Sequence, residues 1–119
     1  MMRSVHWLTL AMMLTAPPAF AHAFLERADP PVGSDVATSP RTLTLRFTEG
    51  VEPLFSTVEM RDANGAAVAI GKPHTASGND RELVVALPDL HKGRYTVTWH
   101  VTSVDTHKTE GSFRFSVTQ

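Results

Sequence analysis

The residue best suited to bind a metal ion is His22, because the three residues before it form a signal-peptidase pattern. Ala19-Phe20-Ala21 supplies the small side chains that the peptidase needs, so cleavage makes His22 the first residue of the exported chain. A terminal histidine offers two nitrogen donors, its free α-amine and its imidazole Nδ1, which can close one chelate ring around a metal ion. Nitrogen and oxygen donors in one plane suit Cu(II). We therefore expect His22 to be a Cu(II) ligand.

The segment before His22 has the order of parts that a secretory signal peptide requires. Arg3 provides a positive charge, Trp7 to Ala16 forms an apolar run, and Pro17-Pro18 interrupts it ahead of the cleavage site. The run is shorter than the roughly 20 residues that span a bilayer. We predict that residues 1–21 are removed on export by the Sec route, leaving a soluble periplasmic domain of residues 22–119. An uncleaved N-terminal anchor is the alternative.

A second set of donors lies at Asp105-Thr106-His107, between two predicted strands. Residues two apart in an extended segment point to the same side, so this carboxylate and this imidazole can face one target. Together with the amine and imidazole of His22 they make a planar donor set that suits Cu(II). The triplet alone is weak evidence, because aspartate is common in turns and the histidine could simply be solvated.

The charge composition argues against nucleic acids and anionic membranes as partners. Of the eleven Lys and Arg residues only Arg3 precedes His22, so the remainder carries ten against twelve Asp and Glu, a formal charge of −2. Nucleic-acid binding calls for a basic face, and no polybasic segment is present for an anionic membrane. The chain has no cysteine. Stability must therefore come from the core and from any bound ion.

The elements that must position these donors are strands, since the apolar residues after His22 recur with a period of two. Asn64-Gly65 predicts a hairpin turn, because this pair readily takes the positive φ that such a turn needs. Seven short strands with turns between them indicate an all-β Greek-key sandwich. The predicted strands are Phe24–Ala28, Leu43–Phe47, Val58–Arg61, Ala66–Ile70, Leu83–Leu87, Tyr95–Val101 and Phe113–Val117.

Motifs along the whole exported chain resemble the CopC family of periplasmic copper-binding proteins. The N-terminal half contributes His22-Ala23-Phe24-Leu25, Ala28-Asp29-Pro30-Pro31 and Leu43-x-Leu45-x-Phe47-Thr48-Glu49. The C-terminal half contributes Leu90-x-x-Gly93-x-Tyr95-x-Val97-x-Trp99 and Ser103-x-Asp105-x-His107 followed by Gly111-x-Phe113-x-Phe115-x-Val117. Lys108 departs from the family pattern, in which proline commonly follows the histidine.

The resemblance implies an immunoglobulin-like, cupredoxin-like Greek-key β-sandwich with a Cu(II) site. Its ligands would be the amine and imidazole of His22, the Asp105 carboxylate and the His107 imidazole. The resemblance also places Glu49 near the copper, where it could hydrogen-bond to a ligand or to a bound water. An acidic residue at a strand end is equally often just solvated.

The resemblance further implies a monomeric carrier that sequesters copper for resistance or homeostasis and delivers it to a membrane importer of the CopD type or to another copper protein. Some members bind Cu(I) through a methionine-rich segment. Here only Met60 remains after cleavage, and a single methionine more simply fills a core gap. We expect a Cu(II) protein.

Two other functions compete with the carrier. A terminal histidine with a second histidine also resembles the histidine brace of copper monooxygenases, but Asp105 would occupy a position in the copper plane, and Tyr95 and Trp99 are predicted to lie in the core. The other alternative is an immunoglobulin-like module without metal. We expect no enzyme, and we expect the remaining histidines, His74, His91 and His100, to be solvated, with His100 at most an outer partner of the site.

Overall fold

A computed structural model describes Ser4 and residues 22–119, so the predicted signal peptide lies outside the described residues apart from Ser4. The described chain consists of strands joined by turns and one single-turn 3-10 helix, Pro53–Phe55. No helix in this part of the chain is long and apolar enough to cross a membrane. The strands are β1 (Leu25–Asp29), β2 (Asp35–Val36), β3 (Thr42–Phe47), β4 (Thr57–Arg61), β5 (His74–Ala76), β6 (Asn79–Ala86), β7 (Gly93–Thr102) and β8 (Lys108–Val117).

The strands form two four-stranded sheets, with orders β1-β3-β6-β5 and β2-β8-β7-β4. Neighbouring strands are antiparallel except for the short pairing of β2 with β8, which is parallel. The alternating apolar residues of β3, β6, β7 and β8 point inward and bury the core between the sheets. The predicted all-β sandwich is confirmed. The most buried side chains include Leu43, Leu45, Phe47, Leu83, Val85, Val97, Val101, Phe115 and Val117.

Two local predictions need correction. Ala66–Ile70 is not a strand: it runs beside β4 through a single bridge, Arg61 to Ala67, and a hydrogen bond from Val68 N–H to Met60 O. The turn before it forms as expected, with Gly65 at φ +80°. The structure adds β2 and β5, which are too short to show an alternating pattern, so the strand count is eight rather than seven.

The hairpin of β7 and β8 is the longest pairing, running from Gly93 opposite Val117 to Thr102 opposite Lys108. Trp99 lies over Gly111 on the facing strand, and a Cβ added to that glycine would come within 2.5 Å of the indole Cζ2. The indole also packs edge-on against Phe47 of the other sheet, with ring centroids 5.1 Å apart. Glycine is therefore required at position 111 for the hairpin to seat its tryptophan in the core.

Candidate metal centre

The loop that closes the β7–β8 hairpin is organised around Ser103, whose side chain is buried. The Ser103 hydroxyl donates a hydrogen bond to Asp105 Oδ1 and accepts one from the His107 N–H at 3.2 Å. The Ser103 N–H donates to His107 O at 2.8 Å. Thr106 between them has φ +73°, a conformation uncommon for a β-branched residue. Such strain persists only where the surroundings enforce it, so this loop holds Asp105 and His107 in one defined arrangement.

The segment that begins at His22 is held against the same end of the sandwich by two threonines, one directly after β3 and the other in β8. The Thr48 hydroxyl donates to His22 O at 3.1 Å and accepts from the Phe24 N–H at 3.0 Å. The Thr109 hydroxyl donates to Ala23 O at 2.6 Å. Ala23 itself is buried. These bonds fix the backbone of His22 before β1 starts, and we call Thr48 and Thr109 the threonine clamp.

The clamp brings His22 against His107. Their ring centroids lie 5.0 Å apart with the planes inclined at 68°. The Nδ1 atom of His22 is inaccessible to solvent, and no described residue supplies it with a hydrogen-bond partner. A buried polar nitrogen without a partner is costly unless it has another purpose. It is also the imidazole nitrogen that a chelate with the terminal amine would use.

Asp105 provides an oxygen donor beside these rings. Its Oδ2 atom lies 3.3 Å from His107 Nδ1. The hydrogen bond from Ser103 holds the pKa of Asp105 below its ordinary value, and the neighbouring His107 adds to this effect. Both interactions stabilise the carboxylate, which is the form that binds a metal ion.

The structure thus joins the three predicted ligands in pairs, His22 with His107 and His107 with Asp105. Within the described part of the chain no three His, Asp or Glu side chains already stand at metal-ligand spacing. One oxygen of Asp105 is engaged by Ser103. Binding of one ion by all three side chains would therefore require them to rotate from these positions.

The other histidines are exposed, as expected. His74 begins β5, and His91 lies before β7. His100 points outward from β7 and pairs with Glu110, its Nε2 lying 2.9 Å from Glu110 Oε2. Glu49 is half-buried directly after Thr48.

The predicted core assignments hold. Met60, Tyr95 and Trp99 are all buried, so none of the three faces solvent at the loop end. Sequence reasoning assigned no role to Ser103, Thr48 or Thr109. Ser103 and Thr48 lay inside quoted motifs, but nothing in a linear pattern shows which backbone groups a hydroxyl will meet.

A model of the CopC domain matches residues 25–118. The chain belongs to the CopC family. The match covers all eight strands, so the resemblance seen in the sequence motifs is confirmed.

Individual CopC relatives agree with this assignment. Protein YobA of Escherichia coli strain K12 is 38% identical over 109 residues, covering 91% of this chain and 88% of that protein. Copper resistance protein C of Xanthomonas campestris pv. juglandis is 33% identical over 115 residues, covering 91% of this chain and 89% of that protein. Copper transport protein CutJ of Bacillus subtilis strain 168 is 29% identical over an alignment of 120 positions, which covers 98% of this chain but 22% of that protein.

The fold agrees with a crystal structure of CopC from Methylosinus trichosporium OB3b. The two share 37% sequence identity and a TM-score of 0.77, over 82% of this chain and 94% of that one. The CopC family is one of copper-binding and copper-resistance proteins, and the function of this chain is accordingly copper-related and not enzymatic. The monooxygenase and metal-free alternatives are both set aside.

Proposed function

We propose that this protein is a periplasmic Cu(II) carrier whose ion is held by the α-amine and imidazole of His22, the carboxylate of Asp105 and the imidazole of His107. The observation that carries the proposal is the contact of the His22 ring with the His107 ring, enforced by the threonine clamp. Residues 85 positions apart in the chain are brought together at one exposed end of the sandwich. The amine enters this donor set only if residues 1–21 are removed, so the proposal includes cleavage before His22.

The donor types favour Cu(II) over Cu(I). Three nitrogens and one carboxylate oxygen form a hard to intermediate set, whereas Cu(I) prefers thiolate and thioether sulfur. The sequence has no cysteine. Among the described residues Met60 is the one methionine, and it is buried in the core. The described part of the chain therefore has no sulfur donor at the loop end.

Delivery to a membrane importer is the part of the proposal that concerns the partner. The ligands lie on an exposed loop and at the chain start, where an incoming protein can replace them one at a time. The relative CutJ supports delivery of copper to a transport protein. The part of CutJ that aligns with this chain makes up about a fifth of CutJ, and CutJ is named for copper transport. We infer that the separate domain brings copper to an importer of the CopD type, acting as a monomer.

Glu49 completes the proposed site as an outer partner. It follows Thr48 of the clamp and is half-buried at the same end of the molecule. A carboxylate there can accept a hydrogen bond from a ligand N–H or a copper-bound water and orient it.

Thermal unfolding of the chain that starts at His22 tests this function. Binding to the folded state alone raises stability, so one equivalent of Cu(II) should raise Tm by several degrees while Cu(I), supplied under reducing conditions, should change it little. Equal stabilisation by both oxidation states, or by neither, would contradict a Cu(II) carrier. Zn(II) is the control for general metal binding by exposed histidines.

A further inference from the structure

His100 and Glu110 form a second pair of potential metal donors outside the proposed copper centre. They lie directly opposite each other on β7 and β8, and both side chains point away from the core. Nε2 of His100 is 2.9 Å from Oε2 of Glu110, with the two side chains 53% and 74% exposed. An open groove beside them is also lined by Phe55, Thr57 and Lys108. The pair is therefore accessible to an ion from solvent.

The spacing of the two atoms fits adjacent ligands of Cu(II). With bonds of roughly 2.0–2.1 Å, two donors at right angles around one ion stand about 2.8–3.0 Å apart. The observed 2.9 Å falls in this range. An exposed pair of this kind contributes little to stability, so breaking its hydrogen bond and turning both side chains toward one metal ion costs the fold little.

We propose that His100 and Glu110 form a second, weaker Cu(II) site, with water completing the coordination. The pair lies on the same hairpin whose loop carries Asp105 and His107. His107 and Glu110 are three positions apart in the chain, which places the two sites on the order of 10 Å apart. The second site shares no ligand with the proposed carrier centre, so either assignment can fail without the other.

Lys108 explains why the second site is the weaker one. Lys108 and Glu110 alternate on the outward face of β8, and both line the groove. A lysine ammonium in the same groove repels an incoming cation. Replacing Lys108 by alanine should therefore tighten the second site severalfold, with no change at the first.

The test is a Cu(II) titration of the chain that starts at His22, followed by electron paramagnetic resonance and calorimetry. We expect two equivalents, the second with micromolar affinity and with dipolar broadening from the first copper. His100→Ala should abolish the second equivalent, and Glu110→Gln should weaken it. Both variants should keep the first equivalent and the wild-type circular dichroism spectrum.

His74→Ala and His91→Ala are matched controls, because each removes an exposed histidine that has no ion pair with a described carboxylate. Both should retain two equivalents. The proposal is overturned if wild type binds a single equivalent, if the second equivalent survives His100→Ala, or if a control variant loses it. Loss of the first equivalent alone would count against the carrier centre and leave the second site standing.

Discussion

At the scale of single residues, the proposed centre depends on His107 more than on Asp105. His107 touches both other donors, with its ring against His22 and its Nδ1 atom near Asp105. Asp105 is held at the rim of the site by Ser103. The two side chains therefore should not contribute equally to copper binding.

Replacing the two residues separately tests this ranking. His107→Ala removes a nitrogen donor and should weaken Cu(II) binding by more than about 100-fold, whereas Asp105→Asn keeps an oxygen donor and should cost about tenfold. Isothermal titration with a competing chelator measures both. Neither should lower the apo Tm greatly, because both side chains lie outside the core. His91→Ala, an exposed histidine remote from the pair, is the control, and full affinity in His107→Ala would refute the ligand assignment.

Acid should release copper through the nitrogen donors before it affects Asp105. Ligands bind in their deprotonated form, and free α-amines and imidazoles titrate at about 7.7–8.0 and about 6.5. The pKa of Asp105 is lowered by Ser103, so its carboxylate persists below the ordinary aspartate range near 3.9. Affinity should therefore fall steadily from pH 8 to pH 5 with no further step from this carboxylate. Affinity that stays constant over this interval would exclude nitrogen donors.

At the scale of elements, the proposed centre consists of two pieces of chain that the sandwich brings to one end. One is the loop of the β7–β8 hairpin, and the other is the segment before β1. The pairing of β1 with β3 places that segment beside Thr48, and β8 supplies Thr109. The clamp is thus a consequence of strand register.

Breaking the clamp should loosen copper without dismantling the fold. Thr48→Val and Thr109→Val keep the side-chain shape but remove the hydroxyls that hold the backbone of His22 and Ala23, so each should weaken Cu(II) binding by about tenfold and cost about 1 kcal/mol of unfolding free energy. Calorimetry and chemical unfolding measure the two effects.

Thr118→Val is the matched control for the clamp. Its hydroxyl also donates to a backbone carbonyl, that of Val36 at 3.2 Å, but beside β2. It should lose similar stability and keep full copper affinity. If all three variants bind copper equally well, the clamp does not position His22.

At the scale of the whole molecule, the period of two was enough to predict the sandwich, because six of the seven predicted strands match strands of the structure. The strand predicted at Ala66–Ile70 was wrong. Its alternation of alanine with larger apolar residues is typical of a strand, but the segment forms only a single bridge with its neighbour. The strands β2 and β5 were missed because two or three residues carry no period. Edge elements of this kind depend on neighbours that sequence alone does not reveal.

The sequence predicts the site as a set of donor types and not as an arrangement, and the ligand set stays a prediction. The residues His22, Asp105 and His107 follow from terminal chelation and from the Asp-x-His spacing, and the family resemblance joins them. The features that hold these side chains in place could not be predicted. They are the buried Ser103, the positive φ of Thr106 and the threonine clamp. These depend on which backbone groups are left without partners once the sheets have formed.

The central claim is that the α-amine of His22 is itself a copper ligand, and one measurement tests it directly. The chain starting at His22 is compared with the same chain carrying one additional alanine before His22, which turns the amine into an amide and displaces the chelate ring. Electron paramagnetic resonance with one equivalent of Cu(II), together with competition titration, reports the ligand set and the affinity. We expect the extended chain to lose one nitrogen from its spectrum and to bind at least about 100-fold more weakly. Identical spectra and affinities in the two chains would contradict the account.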